Sequence, residues 1–355
     1  MNEPELKTTS LPPADQRYAR QIRYSGIGKD GQAAIMGSRA AVAGVGALGT
    51  VIAQHLVRSG VGFVRVIDRD IVDWSNLQRQ VLYDESDARA VLPKAEAAAA
   101  RLRSINGSVA VEAVMADITA ANAESLLGDV DVILDGTDNF SVRYLINDVS
   151  VKHGIPWIYG GAVGGAGVTM TIRPGISPCY RCLFPEPPPA GSADTCETAG
   201  ILSPVSDIIG SWQALEALKL LAGREEALHG KLMQVDAWNG SLMPLGIAGS
   251  RRSDCPACGL RRFDYLDNVS ELPASAALCG RNTIQISPGS PVELALPELA
   301  ARLRAVYPVE TSPYLIRIAV SDELTLVLFP DGRALVQGTD NPVKARAIYA
   351  EILGF

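Results

Sequence analysis

Residues 75–80 read SNLQRQ and set an arginine among amides just past an acidic strand end. Arg79 stands 11 positions after Asp68, and Lys94 follows a proline at the start of an alanine-rich stretch. Asp138 lies in DGTDN, where another strand ends. Two cations and a carboxylate on one sheet edge suit a triphosphate with Mg2+. The cations neutralise phosphoryl oxygens, and the carboxylate helps to hold the metal. Hydride transfer needs none of the three, which argues against a nicotinamide oxidoreductase. Singly, each is equally well a solvated surface charge; it is the convergence that carries the reading.

Upstream, Gly44, Gly46 and Gly49 form G-x-G-x-x-G between a short apolar strand and a helix. Such glycines let the backbone approach phosphates, and the helix N-terminus adds amide donors. Asp68 comes 19 residues after Gly49, placed to accept from a ribose hydroxyl. The alternative is that the glycines serve tight packing alone.

Cys179 and Cys182 (PCYRC) and Cys255 and Cys258 (CPAC) are two Cys-x-x-Cys pairs separated by 72 residues. Four soft ligands in two knuckles suit a tetrahedral zinc with no open position, hence a structural zinc clamping remote segments. Two dithiols or a redox pair is the alternative. Cys196 sits in a Pro/Gly/Ser-rich stretch and is read as a thiol on a mobile loop or as a small buried residue, at even odds. Cys279 is expected to be buried, and His55, His153 and His229 show no ligand spacing.

These residues need a scaffold. Strands are expected at RAAVAG, FVRVID, VAVEAVMAD, DVDVILDGTD and GIPWIYGG, alternating with helices, the pattern of a doubly wound, mostly parallel Rossmann-like α/β sheet. A helical segment is expected over 16–37, and a later amphipathic helix over 204–223. Residues 231–247 read as paired strands. The composition changes near residue 270. From there the pattern is a strand (278–287), a helix (297–307), three strands (314–319, 324–329, 333–338) and a helix (342–353), a small C-terminal α+β module. The expected division is a flexible lead-in over 1–15, a nucleotide-binding domain with the zinc site over 16–268, and the module over 269–355.

With 355 residues and 47% hydrophobic content the chain can bury a large core. A net charge of −7 argues against general nucleic-acid binding. No apolar run reaches bilayer length: the most apolar stretch, 154–172, is broken by glycines. The acidic, proline-containing start lacks the pattern of a signal peptide, so a cytoplasmic location without membrane association is expected.

In order along the chain, RYARQ, GVGALG, SNLQRQ, PK, DGTDN, PCYRC, DTCETAG and CPAC resemble the ThiF/MoeB/HesA adenylyltransferases of the ubiquitin-activating superfamily, closest in layout to thiamine-type ThiF proteins. The resemblance covers roughly residues 16–265. It implies an enzyme that uses ATP and Mg2+ to attach AMP to the C-terminal glycine carboxylate of a ubiquitin-like sulfur carrier ending in Gly-Gly, with release of pyrophosphate. Thiocarboxylate formation for thiamine or molybdopterin-type cofactors would follow. On that pattern Gly44, Gly46, Ala47 and Gly49 approach the nucleotide through backbone, and Asp68 binds ribose. Ser75, Asn76, Leu77, Gln78 and Arg79 line the phosphate side, Lys94 contacts phosphate, and Asp138 and Asn139 complete the nucleotide and metal site. Arg20 would reach across a twofold axis into a partner's site, implying a homodimer. The four knuckle cysteines would bind Zn2+, and Cys196 would serve a thioester or persulfide step. No sulfurtransferase domain is recognisable, so a separate sulfur-donor protein is expected. Other carriers, peptide acceptors, or a non-catalytic carrier-binding subunit remain alternatives; Arg79, Lys94 and Asp138 argue against the last.

Overall fold

The computed structural model describes residues 13–189, 198–267, 275–278, 282–288 and 292–354. The chain divides into two compact units, Met1–Val269 and Ser270–Phe355.

The larger unit is built on an eight-stranded sheet. Its strands are β1 (Arg39–Ala43), β2 (Phe63–Ile67), β3 (Ala110–Val114), β4 (Val132–Asp135), β5 (Trp157–Val163), β6 (Ala166–Ile172), β7 (Lys231–Asp236) and β8 (Ser241–Gly246), in the order β3-β2-β1-β4-β5-β6-β7-β8. From β3 to β5 the pairing is parallel, with Val42 opposite both Val66 and Leu134. From β5 to β8 it is antiparallel, and these three pairings extend a doubly wound sheet.

A parallel sheet is covered on both faces, and the strands read accordingly. Val42, Val64, Val66 and Leu134 pack with Ile52 and Leu56 of the helix Ala47–Ser59 and with Leu102 of the helix Lys94–Ile105. On the opposite face, Ala41, Ala43, Ile133 and Trp157 pack with Tyr144 and Ile146 of the helix Phe140–His153, and with the knuckle cysteines. The helix Ser203–Leu221 lies on the first face through Ile209, Ala217 and Leu221.

The helical segment expected over 16–37 is three short helices, Ala14–Arg17, Ala19–Arg23 and Gly28–Gly37. Gly28 adopts φ +68°, a left-handed turn that interrupts the run.

The smaller unit is an antiparallel sheet of β9 (Ser275–Leu278), β10 (Thr283–Ile286), β11 (Val309–Thr311), β12 (Ile316–Ala319), β13 (Thr325–Leu328) and β14 (Ala334–Gln337), in the order β11-β12-β13-β14-β10-β9. Ile284, Ile318, Leu326 and Val336 pack with Leu299 of the helix Leu296–Leu303 and Ile348 of the helix Pro342–Leu353. The strand expected over 278–287 is a hairpin instead, and β11 stands where sequence gave no strand.

Candidate active site and metal centre

The C-terminal ends of β1, β2 and β4 open onto one edge. Gly44 turns out of β1 with φ +84°, and a Cβ there would lie 2.9 Å from the Gly136 carbonyl at the end of β4. A Cβ on Gly49 would overlap the Gly44 carbonyl oxygen, so the helix can pack this closely only without a side chain. Gly46 is the N-cap of the helix Ala47–Ser59 and has no side chain with which to cap the first-turn amides. Around Gly46 there is room: a Cβ would come no nearer than 3.9 Å to Gln80 Nε2.

Asp68 follows β2, and both oxygens of its carboxylate are engaged by the backbone. Oδ2 accepts from the Val45 amide at 2.9 Å and Oδ1 from the Asp70 amide at 2.8 Å, tying the glycine loop to the β2 end. Burial pushes this carboxyl above its ordinary value, with Asp70 adding to the rise and Lys94 opposing it. Tyr83 braces the same loop, donating to the Val45 carbonyl at 2.8 Å.

SNLQRQ starts within a 3₁₀ turn, Trp74–Asn76, that carries reciprocal caps. Asp73 accepts from the Ser75 amide (2.8 Å) and hydroxyl (2.6 Å), while Asn76 Oδ1 accepts from the Asp73 amide at 3.0 Å. Asn76 is fully buried, Leu77 is half-buried against the core, and Ser75 and Gln78 are exposed. Arg79 is half-buried and donates to the Ser75 carbonyl at 2.7 Å. Two buried atoms of this turn, Asn76 Nδ2 and Gln80 Oε1, have no hydrogen-bond partner among the described residues. Orphaned polar atoms beside an uncapped helix N-terminus fit a polar ligand such as a nucleotide.

Lys94 opens its helix and is buried, with Nζ 3.2 Å from Asp70 Oδ2. Sequence reading missed Asp70, and also Arg69, whose guanidinium pairs with Asp117 at 2.9 Å. Burial works against the charge on Arg69, but Asp117, Asp70 and Asp138 outweigh it and hold its pKa above the usual value. Asp138 is exposed on the loop after β4. Asn139 caps the following helix, its Oδ1 accepting from the Ser141 amide at 2.9 Å. Arg20 is exposed on the helix Ala19–Arg23. Cys196 and Cys279 lie outside the described residues.

The four knuckle cysteines converge. Their Sγ atoms lie within 4.8 Å of one another, with close pairs at 3.8 Å (179–182), 3.6 Å (179–255) and 3.3 Å (182–258). A tetrahedral zinc with Zn–S of about 2.3 Å spaces its sulfurs about 3.8 Å apart, so the donor set and spacing fit zinc. As bare thiols the group is divided. The Cys179 thiol holds Cys182 down to about 4, while burial pushes Cys258 up to about 11. A bound dication favours four thiolates at once.

The chain matches the ThiF family over residues 18–257. It is 44% identical over 339 residues to the sulfur carrier protein ThiS adenylyltransferase of Bacillus subtilis, which spans 95% of this chain and 99% of that one. It is 40% identical to the sulfur carrier protein adenylyltransferase of Thermus thermophilus, over 68% of this chain and 90% of that one. Among solved structures, MccB of E. coli superposes with a TM-score of 0.61 over 71% of this chain and 75% of that chain, at 22% identity, a likeness of fold.

Proposed function

The chain belongs to the ThiF family, and from that premise we infer that it is the adenylyltransferase for a ubiquitin-like sulfur carrier. The observation that carries the reading is the sheet edge itself: an uncapped helix N-terminus, orphaned Asn76 and Gln80 atoms, and Lys94 around one glycine loop.

The chemistry follows from the charges. A carboxylate oxygen of the carrier's C-terminal glycine attacks the α-phosphorus of ATP, the bond to the bridging oxygen of pyrophosphate breaks, and an acyl-adenylate remains. Both reactants are anions and repel. The Ala47 end of the helix, Lys94 and Arg79 supply fixed positive potential, the kind of term that dominates such catalysis. Arg79 can leave its own Ser75 carbonyl for a phosphoryl oxygen without stranding a buried charge. Lys94 keeps Asp70 beside it. Asp138 is the residue we assign to Mg2+, which when bound neutralises charge on the phosphates.

Zinc at Cys179, Cys182, Cys255 and Cys258 is structural in this reading, since all four positions of a tetrahedral site are taken by protein. We further assign a homodimer, with Arg20 entering the partner's site. Ile208 and Leu215, exposed and seven positions apart on one helix, offer it an apolar face. Sulfur then comes from a separate donor protein, with Cys196 the candidate thiol. Thiamine-type and molybdopterin-type pathways are the classes such carriers serve.

The test is ATP–pyrophosphate exchange with purified carriers. Exchange is expected with a carrier ending in Gly-Gly and not with the same carrier lacking those residues. Absence of exchange with every carrier would overturn the reading. Cys196→Ser is expected to retain exchange and to lose thiocarboxylate formation from a sulfur donor. Retention of both would remove Cys196 from the mechanism.

A further inference from the structure

Asp138 is exposed on a short loop, and a metal-holding carboxylate needs that loop fixed. The fixing is done by a buried ion pair that the adenylation reading leaves without a role. Asp135, the last residue of β4, is fully buried and takes Arg143 Nε on Oδ2 at 3.1 Å. Its other oxygen accepts from both the amide and the hydroxyl of Thr137, each at 2.8 Å. Arg143, one turn into the helix Phe140–His153, returns to the loop that starts that helix. Its Nη2 donates to the Thr137 carbonyl at 2.8 Å and to the Gly160 carbonyl of β5 at 3.3 Å. Tyr159 lies beneath the guanidinium, 5.3 Å from ring centre to charge.

Thr137 is thus held on its amide, hydroxyl and carbonyl, and Asn139 is fixed by capping the helix. Asp138 stands between two anchored neighbours and has little backbone freedom of its own. Removing two charges from water is costly, so a buried pair with this many directed hydrogen bonds argues for geometry over stability. We propose that Asp135 and Arg143 are positioning residues for the adenylation: they hold the 136–139 loop so that the Asp138 carboxylate meets the metal bound to the nucleotide. The proposal rests on the adenylyltransferase reading and assigns no contact with substrate to either residue.

The discriminating variants are Arg143→Lys and the double variant Asp135→Asn with Arg143→Gln. Lysine keeps the charge but cannot span Asp135, Thr137 and Gly160 at once. The double variant strands neither charge and decides the matter if the lysine variant fails to fold. Calorimetry of ATP binding with and without Mg2+ is read beside pyrophosphate exchange across Mg2+ concentration, on protein whose melting is followed. ATP binding without Mg2+ is expected to stay close to the parent's, along with the KM for carrier. The Mg2+ concentration for half-saturation should rise about tenfold or more, the usual effect of losing a group that orients a metal ligand. A folded variant with the parent's Mg2+ dependence overturns the proposal. So does one that loses Mg2+-free ATP binding in proportion to activity, which is the signature of a merely structural role. If the parent shows no exchange with any carrier, the adenylation reading falls, while the calorimetry still decides what Arg143 does for Mg2+.

Discussion

At the sheet edge Lys94 and Arg79 pair with Asp70 and with the Ser75 carbonyl, whereas at the cysteine corner four thiols crowd within 4.8 Å of one another. The edge works by exchange. On the proposed reading a phosphate would take over from the Ser75 carbonyl or share Lys94 with Asp70, whose contacts the folded chain already makes. The corner is a donor set: four thiols packed this closely have the number and spacing that a tetrahedral zinc takes. Losses at the edge should therefore appear in rate, and losses at the corner in stability.

The largest effect that would break this contrast is at Arg79 and Asp138. Arg79→Ala and Asp138→Ala are each expected to lower carrier-dependent pyrophosphate release by about 10²–10³. Melting should stay where it is, because neither residue is buried. Near-normal turnover in both variants would remove the charge mechanism. Lys94→Ala should fall as far in rate but also lose about 1–3 kcal/mol, since it takes the lysine from beside Asp70 in a largely buried pair. A Lys94 variant as stable as the Arg79 variant would show that the buried pair contributes nothing to the fold.

At the corner the order reverses. Purified chain should contain one zinc, and Cys179→Ser with Cys182→Ser should lower Tm by about 10 °C or more, as metal binding adds to folding free energy. Exchange per folded molecule should be retained well below the Tm. Zinc well under half an equivalent in gently purified protein, or a variant melting like the parent, would mean that the cluster is two dithiols.

The same contrast explains what could be read from sequence. Cysteine spacing declared the corner completely, because ligand type and number are local facts. The glycine loop, Asp68 and the alternating strands were equally open. Hidden were the partners: Asp70 for Lys94, Asp117 for Arg69, Arg143 for Asp135. Asp117 and Arg69 are 48 positions apart and meet only because β3 pairs with β2. The Asp135–Arg143 pair had a faint signal, an arginine set between Val142 and Tyr144 eight residues after an aspartate. The double duty of Asp68 and Asn139 was invisible, because motif position says what a side chain can reach and not what already holds it. The break at Gly28 was announced by the glycines of SGIG, which the helical pattern around them outweighed.

The two regions are not separate in the packing. Tyr159, under Arg143, contacts Tyr180 at 5.0 Å between ring centres, and Tyr180 lies between the first two knuckle cysteines. Beside this contact sits Asp148, fully buried on the helix Phe140–His153. Its Oδ2 accepts from the Tyr265 amide at 3.0 Å, while its Oδ1 makes no well-formed hydrogen bond among the described residues. Burial pushes its carboxyl up to about 7, against the pull of that amide and of Arg181. The sign follows from a proton held more tightly in the folded chain than in the unfolded one. The stability this provides is full below the ordinary carboxyl range and is lost as pH rises through about 7. Asp148→Asn is neutral throughout and escapes the loss. Relative to the parent, the variant should gain about 2 kcal/mol between pH 5.5 and 8, whatever fixed offset the amide introduces. Equilibrium unfolding of zinc-loaded protein at several pH values measures this directly. Parallel stability curves for parent and variant would mean that Asp148 ionises normally, and that the folded state leaves its second oxygen a partner.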